Sequence, residues 1–122
     1  MTTAISEAFD KARAGEIDNI KLMEIFFNSD VVVPSFKKIV GENVYLEPLR
    51  MEVEGIVHMA VFDDFESFEA SGIVTDYASF SSAADLLYTV PAEYGIALST
   101  ANGFFAIDPT ALAGIRKLNP QS

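Results

Sequence analysis

The side chains best suited to chemistry converge on one stretch, GIVHMAVFDDFESFEASG at residues 55–72, where the single histidine, His58, is followed by Asp63, Asp64 and Glu66. An imidazole beside carboxylates is the material of a general base with its orienting partner, or of a metal site. The spacing argues against both. His58 sits in an uncharged apolar run, and in an extended strand its side chain points with Ile56, Ala60 and Phe62, which leaves Asp63 about 16 Å farther along. Hydrogen-bond reach is only about 3 Å. A structural role asks less of the same residues: Asp63 as the N-cap of a short helix, Glu66 at its third position, Phe65 and Phe68 facing the core, and Gly72 ending it. His58 is then a sheet residue, hydrogen-bonded or partly exposed.

Other catalytic templates are absent from the sequence. There is no glycine-rich phosphate loop, no Gly-x-Ser-x-Gly elbow and no histidine pair at helical spacing. Zero cysteines remove thiolate nucleophiles, disulfides, iron–sulfur clusters and thiolate zinc sites together. Glu52 and Glu54 could act as an acid/base pair, but they fall on the wet face of an alternating strand, where solvated charge is the ordinary explanation. No catalytic residue, no metal ligand and no cofactor is expected.

The elements that position these residues are legible in part. Ile5, Ala8, Phe9 and Ala12 make one helical face, with Gly15 as its stop. Asp18 can cap a second helix whose apolar residues (Ile20, Leu22, Met23, Ile25, Phe26, Phe27) cover over half its circumference, which predicts burial on more than one side. Val31, Val32, Val33 and Pro34 read as a short strand whose exit cannot continue a ladder. Residues 49–54 alternate, Leu49, Met51 and Val53 against Arg50, Glu52 and Glu54, and Glu54-Gly55 turns the chain into an uncharged central strand over residues 56–62. A weak strand near residues 77–80 runs into a helix begun by serine with a carboxylate three positions on and bounded by Pro91. Residues 94–99 and 104–107 form a hairpin around Thr100-Ala101-Asn102-Gly103, and Asp108-Pro109 opens the last helix, with Arg116 and Lys117 in its final turn. The result is an α+β fold with a mainly antiparallel (mixed) sheet of about five to six strands and helices packed on it, one domain over residues 1–122.

Composition narrows the function further. The 122 residues are half apolar, so the chain should fold on one core, yet it carries a net charge of −10 from 18 acidic and 8 basic side chains. Phosphate backbones and anionic lipid are repelled by such a field, so neither nucleic acid nor membrane is an expected partner. No leader pattern opens the sequence and no apolar run approaches the roughly 20 residues that span a bilayer, which makes a cytoplasmic location the expectation.

Three stretches, FFNSDVVVPS at 26–35, HMAVFDDFESF at 58–68 and YGIALSTANGFFAIDPTALAGI at 94–115, resemble in that order the N-terminal domain of the SseB family (enhanced serine sensitivity protein). That family shows a strand ending in Val-Pro, a strand ending in Phe before an acidic helix start, and a Gly-containing strand before a hairpin and a last helix. Ser99-Thr100 stands where the family usually has Asn-Pro. The resemblance implies an α+β fold in a bacterial cytoplasmic protein with no established catalytic activity, and it brings no catalytic residues.

A non-enzymatic interaction or regulatory module follows as the first expectation. Ten phenylalanines and four tyrosines leave more apolar area than one small core hides, and such a surplus marks interfaces. Tyr94, Asn102 and Phe104, at the last hairpin, are the candidate contact residues, and a homodimer is the simplest partnership. A basic protein partner, drawn by the −10 field, is a second possibility. The competing reading is a small-molecule binder or hydrolase whose pocket includes His58.

Overall fold

Four helices start on side chains that accept amides their first turns would otherwise leave unpaired. In the computed structural model, which describes residues 3–101 and 103–118, Thr3 accepts from the Ser6 amide at 3.0 Å to open α1 (Ala4–Arg13). Asp18 accepts from Lys21 at 2.8 Å to open α2 (Asn19–Phe27), Asp64 from Ser67 at 2.7 Å to open α3 (Phe65–Ala70), and Asp108 from Ala111 at 2.7 Å to open α5 (Pro109–Leu118). α4 (Ala83–Thr89) begins after Ser82 as the sequence predicts, but without a side-chain cap bond.

Two helix expectations need correction. The N-cap of α3 is Asp64, not Asp63, so Glu66 stands at the second helical position and not the third. None of the residues in α3 is buried: Phe68 packs on Phe62 and Phe65 on Phe80, at ring-centroid distances of 5.2 and 4.7 Å. α2 buries one side only, through Leu22 and Phe26, and Ile20 stays 73% exposed.

The seven strands, against the five or six expected, form one mostly antiparallel sheet: β1 (Asp30–Val40), β2 (Asn43–Pro48), β3 (Arg50–Val53), β4 (Ile56–Phe62), β5 (Tyr77–Ser82), β6 (Gly95–Thr100) and β7 (Gly103–Ile107). Only β4 and β6 pair in parallel, joined by the α3–β5–α4 excursion. On the remaining sides β1 pairs with β5, β2 and β4, β3 with β4, and β6 with β7. α1, α2, α4 and α5 cover one face, meeting Val31, Met59, Val61, Ile96, Leu98 and Ile107 through Ile5, Phe26, Leu86, Leu87 and Leu112. α3 lies on the other face, which is the one carrying Phe62. Arg116 donates to the carbonyls of Leu87 and Val90 and so closes the end of α4 from α5.

The sheet forks. β1 runs through Pro34 for six further residues, where the sequence suggests a stop. Proline is tolerated because β1 changes partner there: Val32 faces Phe62 of β4, whereas Ser35 faces Pro48 of β2 on the same side. A missing donor at such a junction removes little of either ladder. β2 and β3 both lie in the space between β1 and β4, each paired with only one of them. Leu49 links the two prongs, donating its amide to Pro34 and accepting at its carbonyl from Ala60. The β3–β4 prong turns at Glu54-Gly55, with φ of 53° and 82°, the double positive φ of a type I′ hairpin.

Candidate interaction surface

His58 is buried, at 2% exposure, on the sheet face away from the main core. Its Nδ1 lies 2.9 Å from the Ile56 carbonyl oxygen, and since a carbonyl only accepts, Nδ1 carries the proton. The ring lies across Gly95, its register partner in β6, so closely that a Cβ there would overlap the ring edge bearing Nε2. Asp63 is engaged elsewhere: its Oδ2 accepts from Thr3 Oγ1 at 2.6 Å, which lets one hydroxyl cap α1 and tie it to the end of β4. The other oxygen, Oδ1, is buried and has no hydrogen-bond partner among the described residues. The imidazole and the Asp63 and Asp64 carboxylates thus engage different partners. Among the described residues, no group of three or more His, Asp and Glu is placed to hold a metal ion.

Two grooves mark the surface. One, of about 370 Å³, runs between α3 and the sheet, where Leu49, Met51, Phe62, Ser71 and Ser99 line it. The other, of about 490 Å³, lies between α2, α4 and α5 over Ile20, Met23, Phe27, Tyr88 and Ile115. His58 lines neither of them.

Of the residues expected at an interface, Tyr94 is half-buried just before β6, and its hydroxyl accepts from Arg50 Nη1 at 3.2 Å. This bond and then the Tyr94 and Glu47 charges hold the Arg50 guanidinium above its ordinary value. Phe104 is 44% exposed on β7. Asn102 lies outside the described residues. The structure thus leaves Phe104 open and engages the Tyr94 oxygen within the chain.

A larger apolar surface stands on the other prong, which sequence reasoning left unassigned. The last five residues of β1 and all of β2 form a hairpin arm closed by Gly41-Glu42, with Gly41 at φ 63° in the first central position, as a type II′ turn requires. Ile39, Val44 and Leu46 share one face with Lys37, while Phe36, Val40 and Tyr45 share the other with Lys38 and Glu47. Among the described residues these six apolar side chains are 38–63% exposed. The signal was present as two unbroken apolar runs, Ile39-Val40 and Val44-Tyr45-Leu46, flanking Gly41-Glu42. Such runs belong to strands covered on both faces. Here no described residue covers either face.

No helix among the described residues is long and apolar enough to cross a membrane. The chain matches no protein-family model, no curated protein and no solved structure.

Proposed function

We propose that the chain is a non-enzymatic protein-interaction module of the bacterial cytoplasm that docks through the β1–β2 arm. One observation carries this reading: a hairpin whose first strand is continuous with the core keeps six large apolar side chains in solvent, three on each face. Monomeric proteins rarely leave clustered large apolar side chains open unless something binds them. The resemblance of residues 26–35, 58–68 and 94–115 to the SseB N-terminal domain accords with a role without catalysis. A small-molecule or hydrolase role for His58 has less support, because its Nδ1 is committed to a backbone carbonyl and its ring to Gly95.

Site-specific photo-crosslinking in living cells tests the proposal, with the photoreactive residue at Val44 on the arm or at exposed Glu16, beside α1 toward the β7 edge of the sheet. A discrete protein adduct from position 44 and none from position 16 is the expected result. The absence of any adduct from position 44 overturns the reading.

A further inference from the structure

Resting on that reading, we infer that the arm's occupant is a second copy of this chain, the two arms stacking antiparallel across a two-fold axis with Lys37 of each set against Glu42 of the other.

Charge distribution singles out the copy. The arm carries Lys37, Lys38, Glu42 and Glu47 and is neutral, so the net −10 resides wholly on the rest of the chain, with sixteen acidic and six basic side chains. A basic partner is drawn to that body and not to the arm, and an acidic partner is repelled by it. Another copy is just as acidic. It meets least repulsion when the two molecules approach arm first.

The arm's own pattern is self-complementary. Lys38 and Glu47 pair with each other at 3.4 Å. Lys37 and Glu42 have no ion pair among the described residues. The register sets Lys37 level with Leu46 near the base, Ile39 level with Val44 midway, and Gly41-Glu42 at the tip. When two such arms stack antiparallel about the Ile39–Val44 level, the tip of each lies at the Lys37 level of the other. Two unpaired charges of opposite sign are then brought together twice, as a two-fold contact requires. The same stacking seals Ile39, Val44 and Leu46 against their twins and leaves Phe36, Val40 and Tyr45 on the outward face of each arm.

The stacked face offers roughly 300 Å² from Ile39, Val44 and Leu46, less than half of the roughly 800 Å² that a standard interface takes from each partner, so the dimer is a weak one set in register by its two ion pairs.

Sedimentation at concentrations up to about 100 µM gives the test, with circular dichroism confirming that each variant is folded. The wild type should sediment at twice the chain mass. Both single charge reversals, Lys37→Glu and Glu42→Lys, should weaken the dimer at least about tenfold, and the double variant Lys37→Glu/Glu42→Lys should restore it. A wild type that stays monomeric, or a double variant no better than either single one, overturns the inference. If the crosslink at Val44 then captures a different protein, the arm remains a docking surface and only its self-pairing fails; if it captures nothing, both fall.

Discussion

β1 is one strand with two environments. In its first half Val31 and Val32 are fully buried and the strand is flanked by β5 and β4; in its second half Phe36, Ile39 and Val40 stand in water, with only β2 beside them. Both halves hold β-branched side chains, but the second also carries Lys37 and Lys38, which the first lacks. Strand formation follows from those types and from pairing, whereas burial follows from what lies above and below the sheet. Helices cover the first half on the core side, and among the described residues none covers the second. The apolar side chains left in water there are what the proposed docking rests on.

Four substitutions sharpen or break this contrast. Gly95→Ala should have the largest effect, a loss of about 2–3 kcal/mol from overpacking, because the new methyl would meet both the His58 ring and the Ile107 carbonyl oxygen at the buried end of the sheet. Urea unfolding checks it, and a loss below about 0.5 kcal/mol would mean that the ring is not seated on Gly95. Next comes a matched pair on β1 itself. Val31→Ala should cost about 2 kcal/mol, and Ile39→Thr, which keeps the β-branch, should change the stability of the protomer by less than about 0.5 kcal/mol. Equal losses measured below the concentration at which chains associate would erase the distinction between the halves. The smallest effect is a gain. Glu54 holds a positive φ of 53° that costs a non-glycine side chain, so Glu54→Asn in the β3–β4 turn should raise stability by about 0.5–1 kcal/mol. A melting temperature that does not rise would argue against the type I′ turn.

The sequence was informative wherever each residue had a single local duty. The alternation over 49–54, the Glu54-Gly55 turn, the Asp18 and Asp108 caps and the last hairpin all correspond to elements of the structure. Reading faltered where one residue type could fill two roles. Asp63 and Asp64 are adjacent carboxylates, and only tertiary contact decides that the first reaches Thr3 while the second caps α3. Pro34 signals a strand end unless a neighbouring strand also ends there, which cannot be known before the sheet is assembled. The arm lacked alternation because both its faces are apolar, so period-two reading passed over it. In α2 the same excess of apolar residues suggested burial on more than one side, yet Ile20 stands open beside a groove.

The bond between Thr3 and Asp63 spans sixty positions, and Phe9 of the same helix packs edge-on against Phe105. During synthesis the first helix therefore emerges long before these contacts exist. At roughly 5–20 residues per second, several seconds pass between the exit of Phe9 and that of its ring partner. Throughout that interval α1 lacks its distal anchors, so it can settle onto the sheet only after β7 has been made.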